Sequence, residues 1–140
     1  QYQQMKTIFL DFDGVLHTSS IYIQTPFSKL SYFDPLLKDY AFDVVVSSTW
    51  RFHYKLNDLK LKLRKLGERV IGVTGESCAG TFPRYYEIKE YAEFNQILDW
   101  VAIDDAKLQF PESEKRLIHC NPQTGITNIQ IQILKDWLET

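Results

Sequence analysis

Cysteine, long apolar runs and an excess of one charge are all scarce in this chain of 140 residues. The two cysteines, Cys78 and Cys120, lie far apart and belong to no CxxC pair, so nothing indicates a disulfide framework or a zinc site. The apolar run Ile8-Phe9-Leu10 stops at Asp11, and no stretch approaches the ~18–20 apolar residues of a membrane span or the core of a signal peptide. We therefore expect a soluble cytoplasmic protein with no membrane partner.

The net charge and the length of the chain exclude further classes of protein. Sixteen Lys and Arg against 18 Asp and Glu give a net charge of −2, which argues against a sequence-independent grip on nucleic acid and leaves room for a local basic strip. With 44% hydrophobic residues the chain can form a real core, and its length predicts one domain over residues 1–140. We expect residues 1–4, which precede the only methionine, Met5, to be a disordered or processing-derived tail outside the fold.

Five short apolar runs predict buried strands. They are continuous rather than alternating, so both faces of the sheet should be covered. The runs are Thr7-Ile8-Phe9-Leu10-Asp11, Phe42-Asp43-Val44-Val45-Val46-Ser47, Arg69-Val70-Ile71-Gly72-Val73, Trp100-Val101-Ala102-Ile103-Asp104 and Arg116-Leu117-Ile118-His119-Cys120.

Helical patterns lie between and after these runs. Leucines from Leu56 to Leu66 recur at helical spacing, and Gly67 is expected to close that helix in the left-handed conformation. A weaker stripe predicts a helix over residues 84–97. The C-terminal segment also alternates as a strand would, but its length and a capping box from Thr127 to Gln130 favour a helix. This alternation predicts a three-layer Rossmann-like α/β fold with a mainly parallel five-stranded sheet.

Acids and hydroxyls stand where the predicted strands end. Asp11 and Asp13 follow the first strand with Gly14 permitting a sharp turn, Ser47 and Ser48 follow the second, and Asp104-Asp105 follow the fourth. Ligands of such sheets bind at the carboxyl ends of the strands. Buried acids need a compensating cation, and Mg²⁺ is the natural one because it takes oxygen ligands and leaves positions open for phosphate oxygens.

These motifs resemble those of the haloacid dehalogenase (HAD) superfamily. Four features carry the resemblance: Asp-x-Asp-Gly-Val after the first strand, a hydroxyl after the second, a basic residue opening a later helix, and Asp-Asp after the fourth strand. A finer pattern is similar to the phosphatase-type domains of multidomain RNA repair proteins and to the 3′-phosphatase half of polynucleotide kinase-phosphatases. It consists of Ser47-Ser48-Thr49-Trp50-Arg51, Arg84-x-x-Glu87-Ile88, Ala102-Ile103-Asp104-Asp105 and Gly125-Ile126-Thr127.

The resemblance implies a Mg²⁺-dependent phosphohydrolase that forms an aspartyl-phosphate. Asp11 would be the nucleophile and Asp13 the general acid and base, which suits a carboxylate pair two residues apart. The side chain of Asp11, the backbone carbonyl of Asp13, and Asp104 or Asp105 would hold the metal. Which acid of that last pair binds directly stays open.

Six further residues are candidates for phosphate or substrate binding. Ser47, assisted by Ser48 and the following turn, would bind phosphoryl oxygens, although a strand-terminal cap is an equal alternative for a hydroxyl there. Arg84 or Lys89 would supply the fixed cation.

Arg51 could clamp a phosphate or be a solvated surface residue. His17 could touch substrate or be a plain loop histidine. Trp50, Tyr85 and Tyr86 could stack on bases or belong to the core.

The short spacings between motifs leave no room for a large cap domain, so the site should be open. The segment from Thr25 to Tyr40 would partly roof it. An open site favours a phosphate on a large partner, such as a nucleic-acid end, although a small ester is an alternative. Two other classes of protein are alternatives: a catalytically weak phosphate-binding module within an RNA-processing assembly, and a receiver-like domain. The receiver does not account for Asp13 beside Asp11.

Overall fold

A computed structural model describes residues 5–19, 25–77 and 80–140 of the chain. The expected tail at residues 1–4 and the cysteine Cys78 lie outside these described residues. Within the part of the chain that is described, no helix is long and apolar enough to cross a membrane.

Five parallel strands form one sheet in the order β3-β2-β1-β4-β5. The strands are β1 (Thr7–Leu10), β2 (Asp43–Val46), β3 (Val70–Val73), β4 (Trp100–Asp104) and β5 (Leu117–His119). All five predicted strands are confirmed, with β1 central and buried along its whole length. Parallel strands need crossover connections. α-Helices lie in the connections that follow β1, β2 and β3, whereas the connection from β4 to β5 contains only a short 3₁₀ turn over Lys107–Gln109.

In the described ranges, four α-helices cover the sheet. They are α1 (Asp34–Asp39), α2 (Leu56–Lys62), α3 (Pro83–Phe94) and α4 (Asn128–Leu138). On one face of the sheet, Leu10 of β1 belongs to the same core cluster as three buried helix residues. These are Leu36 of α1, Leu59 of α2 and Leu134 of α4. On the other face, Phe9, Val45 and Ala102 of the sheet pack against Ile88 and Ala92 of α3. The result is the predicted three-layer α/β arrangement, and the described residues form no large cap.

The C-terminal helix is confirmed over the strand alternative. Thr127 and Gln130 form the expected capping box at the start of α4. At the other end of α4, the Lys6 ammonium donates to the carbonyl oxygen of Trp137 at 2.6 Å, which ties the last helix to the beginning of β1. The capping box and the Lys6 hydrogen bond, at opposite ends of α4, therefore hold this helix against the sheet.

The role predicted for Gly67 was wrong. Helix α2 ends at Lys62, Arg64 takes the left-handed conformation with φ of 55°, and the chain tightens into a 3₁₀ segment over Arg64–Arg69. Gly67 does not have a positive φ. Its hydrogen instead faces the backbone of α2, where a Cβ atom would stand 1.9 Å from the carbonyl oxygen of Lys60. Glycine is needed there for close approach rather than for backbone conformation.

Replacing Gly67 with alanine should destabilise the protein by roughly 1–3 kcal/mol, because a backbone carbonyl cannot move aside as a flexible side chain can. Urea unfolding measures the change. Gly75→Ala is the matched control, since a Cβ there meets nothing within 4 Å. Equal stabilities of the two variants would contradict this account of the α2 close approach.

Candidate active site

Four residues, each at or directly after the end of a different strand, build a polar row along the carboxyl edge of the sheet. Leu10 pairs with Val46 and with Ile103, and Val46 pairs with Val73. Side chains alternate along a strand, so the next residue of each strand turns to the face that α3 covers. These next residues are Thr74 on β3, Ser47 on β2, Asp11 on β1 and Asp104 on β4. All four are buried.

Three carboxyl groups meet at the middle of this row. Oxygen atoms of Asp11, Asp104 and Asp105 lie within 4.8 Å of one another. Gly14 lets the loop after β1 close onto them. Its φ is 77°, and a Cβ there would stand 2.2 Å from a carboxyl oxygen of Asp105. The sharp turn predicted at Gly14 is present, and it brings backbone against the acid cluster.

The positive charge near the acid cluster does not balance its carboxylates. Burial first, and then the neighbouring Asp104 carboxylate, raise the pKa of Asp11 well above its ordinary value of 3.8, although Arg84 opposes the rise. Burial also raises the pKa of Asp105. Each group is therefore reluctant to ionise without a cation beside it.

Arg84 is the cation that the fold places among these acids. It lies in the first turn of α3, four residues before buried Ile88, and faces the sheet. Its Nη1 is 2.6 Å from Oδ2 of Asp104 and 3.3 Å from Oδ1 of Asp11. Burial disfavours the charged form, but Asp104 and Asp11 outweigh that effect and raise the pKa of Arg84. The two acids thus keep Arg84 charged.

Lys89 lies elsewhere. Five residues further along α3, its ammonium lies 5.9 Å from the centre of the Tyr85 ring and lines a cavity with Glu93 and Arg116. The geometry favours Arg84 over Lys89 as the fixed cation.

Arg51 is engaged by the protein itself. Its five N–H groups face the carbonyl oxygens of Ser47, Ser48, Thr74 and Gly75 and a carboxylate oxygen of Glu87, at distances from 2.8 to 3.0 Å. These contacts leave no donor for a phosphate clamp, the role that the sequence suggested. Arg51 instead joins the loop after β2 to the loop after β3.

Glu87 was not among the sequence candidates. It bridges the two arginines, with Oε1 3.0 Å from Arg51 and 3.8 Å from Nε of Arg84. The motif Arg84-x-x-Glu87-Ile88 contains it, and its spacing three residues after Arg84 is the signal for a contact between the two side chains.

The hydroxyl groups near this edge of the sheet are of two kinds. Oγ of Ser47 and Oγ1 of Thr74 are buried and, within the described residues, have no hydrogen-bond partner. Ser48, by contrast, begins the 3₁₀ segment Thr49–Phe52, where its Oγ accepts from the backbone N–H of Trp50 at 3.2 Å. Ser48 therefore caps that segment, and Ser47 is the serine with free capacity. Thr74 was missed, although a hydroxyl directly after the third predicted strand is the same signal that identified Ser47.

Asp13 is separate from the acid cluster. Its side chain is 47% exposed and is held by His17 and Trp50. His17 is buried, so it faces Asp13 rather than open solvent. The other two aromatic candidates lie on α3: Tyr85 packs with the core around Phe9, and Tyr86 lies beside Gly80.

The segment from Thr25 to Tyr40, which was expected to roof the site, lies entirely within the described residues. Its buried residues, Leu30, Phe33 and Leu36, pack into the core, and Phe27 alone contacts His17 and Trp50 beside the site. Residues 20–24, which precede this segment, are outside the described part. Among the described residues, nothing covers Asp13 as a domain would.

Comparison with known families identifies the chain. A family model described as the HAD domain in Swiss Army Knife RNA repair proteins matches residues 7–131. The chain belongs to this family. The match confirms the resemblance that the motifs indicate, and it implies a hydrolase of the phosphatase type. Comparison with curated proteins and with solved structures gave no significant match.

The acid cluster of this HAD domain fits the divalent cation that such domains generally use. Its donors are carboxylate oxygens, which suit Mg²⁺. The three aspartates of the cluster, Asp11, Asp104 and Asp105, together with Glu87 carry four carboxyl groups, and the described cations in contact with them are the two guanidinium groups of Arg84 and Arg51. When all are ionised, one divalent cation would balance them.

Asp11→Asn should raise the melting temperature of the metal-free protein at pH 7–8 by a few degrees. Because folding raises the pKa of Asp11, the folded state binds its proton more tightly. The wild type therefore loses stability as the pH rises from the ordinary value of 3.8 through the raised one. The neutral asparagine does not, so the difference should shrink toward pH 4.

Magnesium should reverse that order. A concentration one hundred times its dissociation constant would stabilise the wild type by about 2.7 kcal/mol and the variant far less. Thermal unfolding across pH, with and without Mg²⁺, measures both effects. If Asp11→Asn is less stable than the wild type at pH 8 without metal, the acid cluster does not lack positive charge.

Proposed function

We propose that this protein is a Mg²⁺-dependent phosphomonoesterase that works through an aspartyl-phosphate on Asp11. The observation that carries the proposal is the arrangement around Asp11. On one side lies the partnerless hydroxyl of Ser47, and on the other lie Arg84 and the acid cluster. A phosphoryl group on Asp11 would find a hydroxyl donor, a fixed cation and oxygen ligands for a metal within reach.

Asp11 and Asp13 have different surroundings, and each suits a different part of the reaction. An ionised oxygen of Asp11 attacks phosphorus, and the bond from phosphorus to the leaving oxygen breaks as Asp13 gives that oxygen its proton. The resulting carboxylate of Asp13 then takes a proton from water, and the hydroxide formed attacks phosphorus. Asp11 is released as a carboxylate with inorganic phosphate. The partly exposed position of Asp13 suits both proton transfers.

We assign the metal to Asp11, Asp105 and the backbone carbonyl of Asp13. Asp104 is less free to ligate, because Oδ2 contacts Arg84 and Oδ1 accepts from the backbone N–H of Ala106 at 2.9 Å. Bound there, Mg²⁺ would neutralise charge on the transferred group and would let Asp11 and Asp105 stay ionised together.

The substrate class we favour is an accessible phosphate on a nucleic-acid end. Two observations support it. The described residues form no cap that could enclose a small metabolite, and the matched family is described from RNA repair proteins. The net charge of −2 fits contact with a short end better than with a long tract. A small phosphate ester is the alternative.

Phosphate release should require both Mg²⁺ and Asp11. We would assay p-nitrophenyl phosphate, mononucleotides, and oligonucleotides with a 3′- or a 5′-phosphate, with and without EDTA. Asp11→Asn should lower kcat by at least about 10³-fold, because no nucleophile remains.

Asp39→Asn is the matched control for this assay. Asp39 is exposed at the end of α1, shortly before β2 begins and so toward the opposite edge of the sheet. No release from any substrate by folded wild-type protein would overturn the proposal and favour a phosphate-binding module.

Arg84→Gln should lower kcat/KM by about 10²–10³-fold, the usual cost of losing one group that stabilises charge in the transition state. Lys89→Gln makes the same change on the same helix and should stay within twofold of the wild type. Steady-state kinetics on the best substrate, with circular dichroism as the check on folding, decide the matter. The reverse order would make Lys89 the fixed cation.

A further inference from the structure

One oxygen of the Asp13 carboxyl group is held by two N–H donors. Nε2 of His17 lies 2.7 Å from Oδ1, and Nε1 of Trp50 donates to the same atom at 3.1 Å. Within the described part of the chain, the other oxygen, Oδ2, has no hydrogen-bond partner. The two oxygens of this exposed carboxyl group are therefore not equivalent.

The backbone decides which nitrogen of His17 carries the proton. The N–H of Phe27 donates to Nδ1 at 3.1 Å, so Nδ1 must offer a lone pair. In the neutral ring the proton is then on Nε2, which points at Asp13. The backbone N–H of Phe27 thus sets the tautomer that lets His17 donate to the carboxyl group.

Both donors sit in closely packed surroundings. The His17 ring, 1% exposed, lies 5.3 Å from the ring of Phe27 and 5.8 Å from that of Trp50, measured between centroids. Trp50 is also in contact with Phe12 and is stacked on Tyr54. Packing of this kind keeps the two N–H groups pointing in a fixed direction. Little entropy is then lost when the reaction needs them in that direction.

We infer that His17 and Trp50 are positioning residues that aim the Asp13 carboxyl group at the leaving oxygen of the substrate. Two N–H donors occupy Oδ1, so the transferable proton resides on Oδ2, the oxygen free to face the substrate. The inference rests on the proposed function and adds to it the means by which one proton site is selected. A buried histidine with both nitrogens engaged has no atom left to bind substrate, which separates this role from the direct contact that the sequence suggested.

The test is the dependence of rate on leaving-group basicity. p-Nitrophenolate leaves with little need of a proton, whereas an alkoxide leaves only when it is protonated. We would measure kcat/KM on p-nitrophenyl phosphate and on an alkyl phosphate. This constant covers the steps through departure of the leaving group, so hydrolysis of the aspartyl-phosphate does not enter it.

Four variants complete the design. Trp50→Phe removes the indole N–H and keeps a ring, and His17→Leu removes the other donor. Both should lower kcat/KM for the alkyl phosphate by about 10–100-fold, part of the range of a general acid, and for p-nitrophenyl phosphate by less than about threefold. His17→Gln keeps a donor and an acceptor and should recover most of the loss. Tyr54→Phe keeps the stack on Trp50 and should behave as the wild type does.

The two proposals fail in different ways. An active wild-type enzyme whose Trp50→Phe and His17→Leu variants lose equal factors on both substrates, or lose nothing, would overturn the positioning role alone. A folded wild type without Mg²⁺-dependent release would overturn the phosphatase proposal and this inference with it. Because Trp50→Phe retains the packed ring, the test does not depend on His17→Leu folding.

Discussion

Arg84 is the residue through which the separate parts of the site are held together. Its guanidinium contacts Asp104 and Asp11 on two neighbouring strands, and Glu87 links it to Arg51. Arg51 in turn holds the carbonyl oxygens of the loops that follow β2 and β3. A buried ion pair recovers its desolvation cost only when further polar contacts support it, and this chain of contacts gives each of the two arginines more than one partner.

The site therefore has a rigid base and an accessible side. Asp11, Asp104 and the two arginines form the base, where Arg84 contacts both aspartates and Glu87 links the arginines. Asp13 and Asp105 are the acids that solvent reaches. Of these, Asp105 shares the charge deficit of the cluster, whereas Asp13 is held through hydrogen bonds by His17 and Trp50. Metal binding and proton transfer can thus be assigned to different acids although all lie on one edge.

Much of this arrangement could be predicted because it follows from strand periodicity. Continuous apolar runs identified the strands, and residues that end parallel strands must meet at one edge, which brought Asp11, Ser47 and Asp104 together. The roles of Arg51 and His17 could not be predicted in this way. Whether Arg51 meets a phosphate or four carbonyl oxygens depends on the path of the loop after β3, which no periodic pattern encodes.

The other differences between prediction and structure also arise where no periodic pattern encodes a contact. Gly67 has the sequence signature of a helix end, but its place is fixed by how closely two backbones approach. Trp50 reads as a core or stacking residue, and only the three-dimensional structure brings its N–H to Asp13. Pairwise contacts between loops decide these roles, and they depend on the packed structure rather than on local propensity.

The polar row also constrains how the protein can acquire its site during folding. Its four members come from four strands spread from β1 to β4, so every contact in it closes a long loop of chain, and such contacts form slowly. A nascent chain that ends before β4 would lack the Asp104 and Asp105 carboxylates and would leave Arg84 without its strongest partner. Ligand binding at this edge should therefore appear only in the last cooperative folding step, which makes it a direct reporter of the complete native topology.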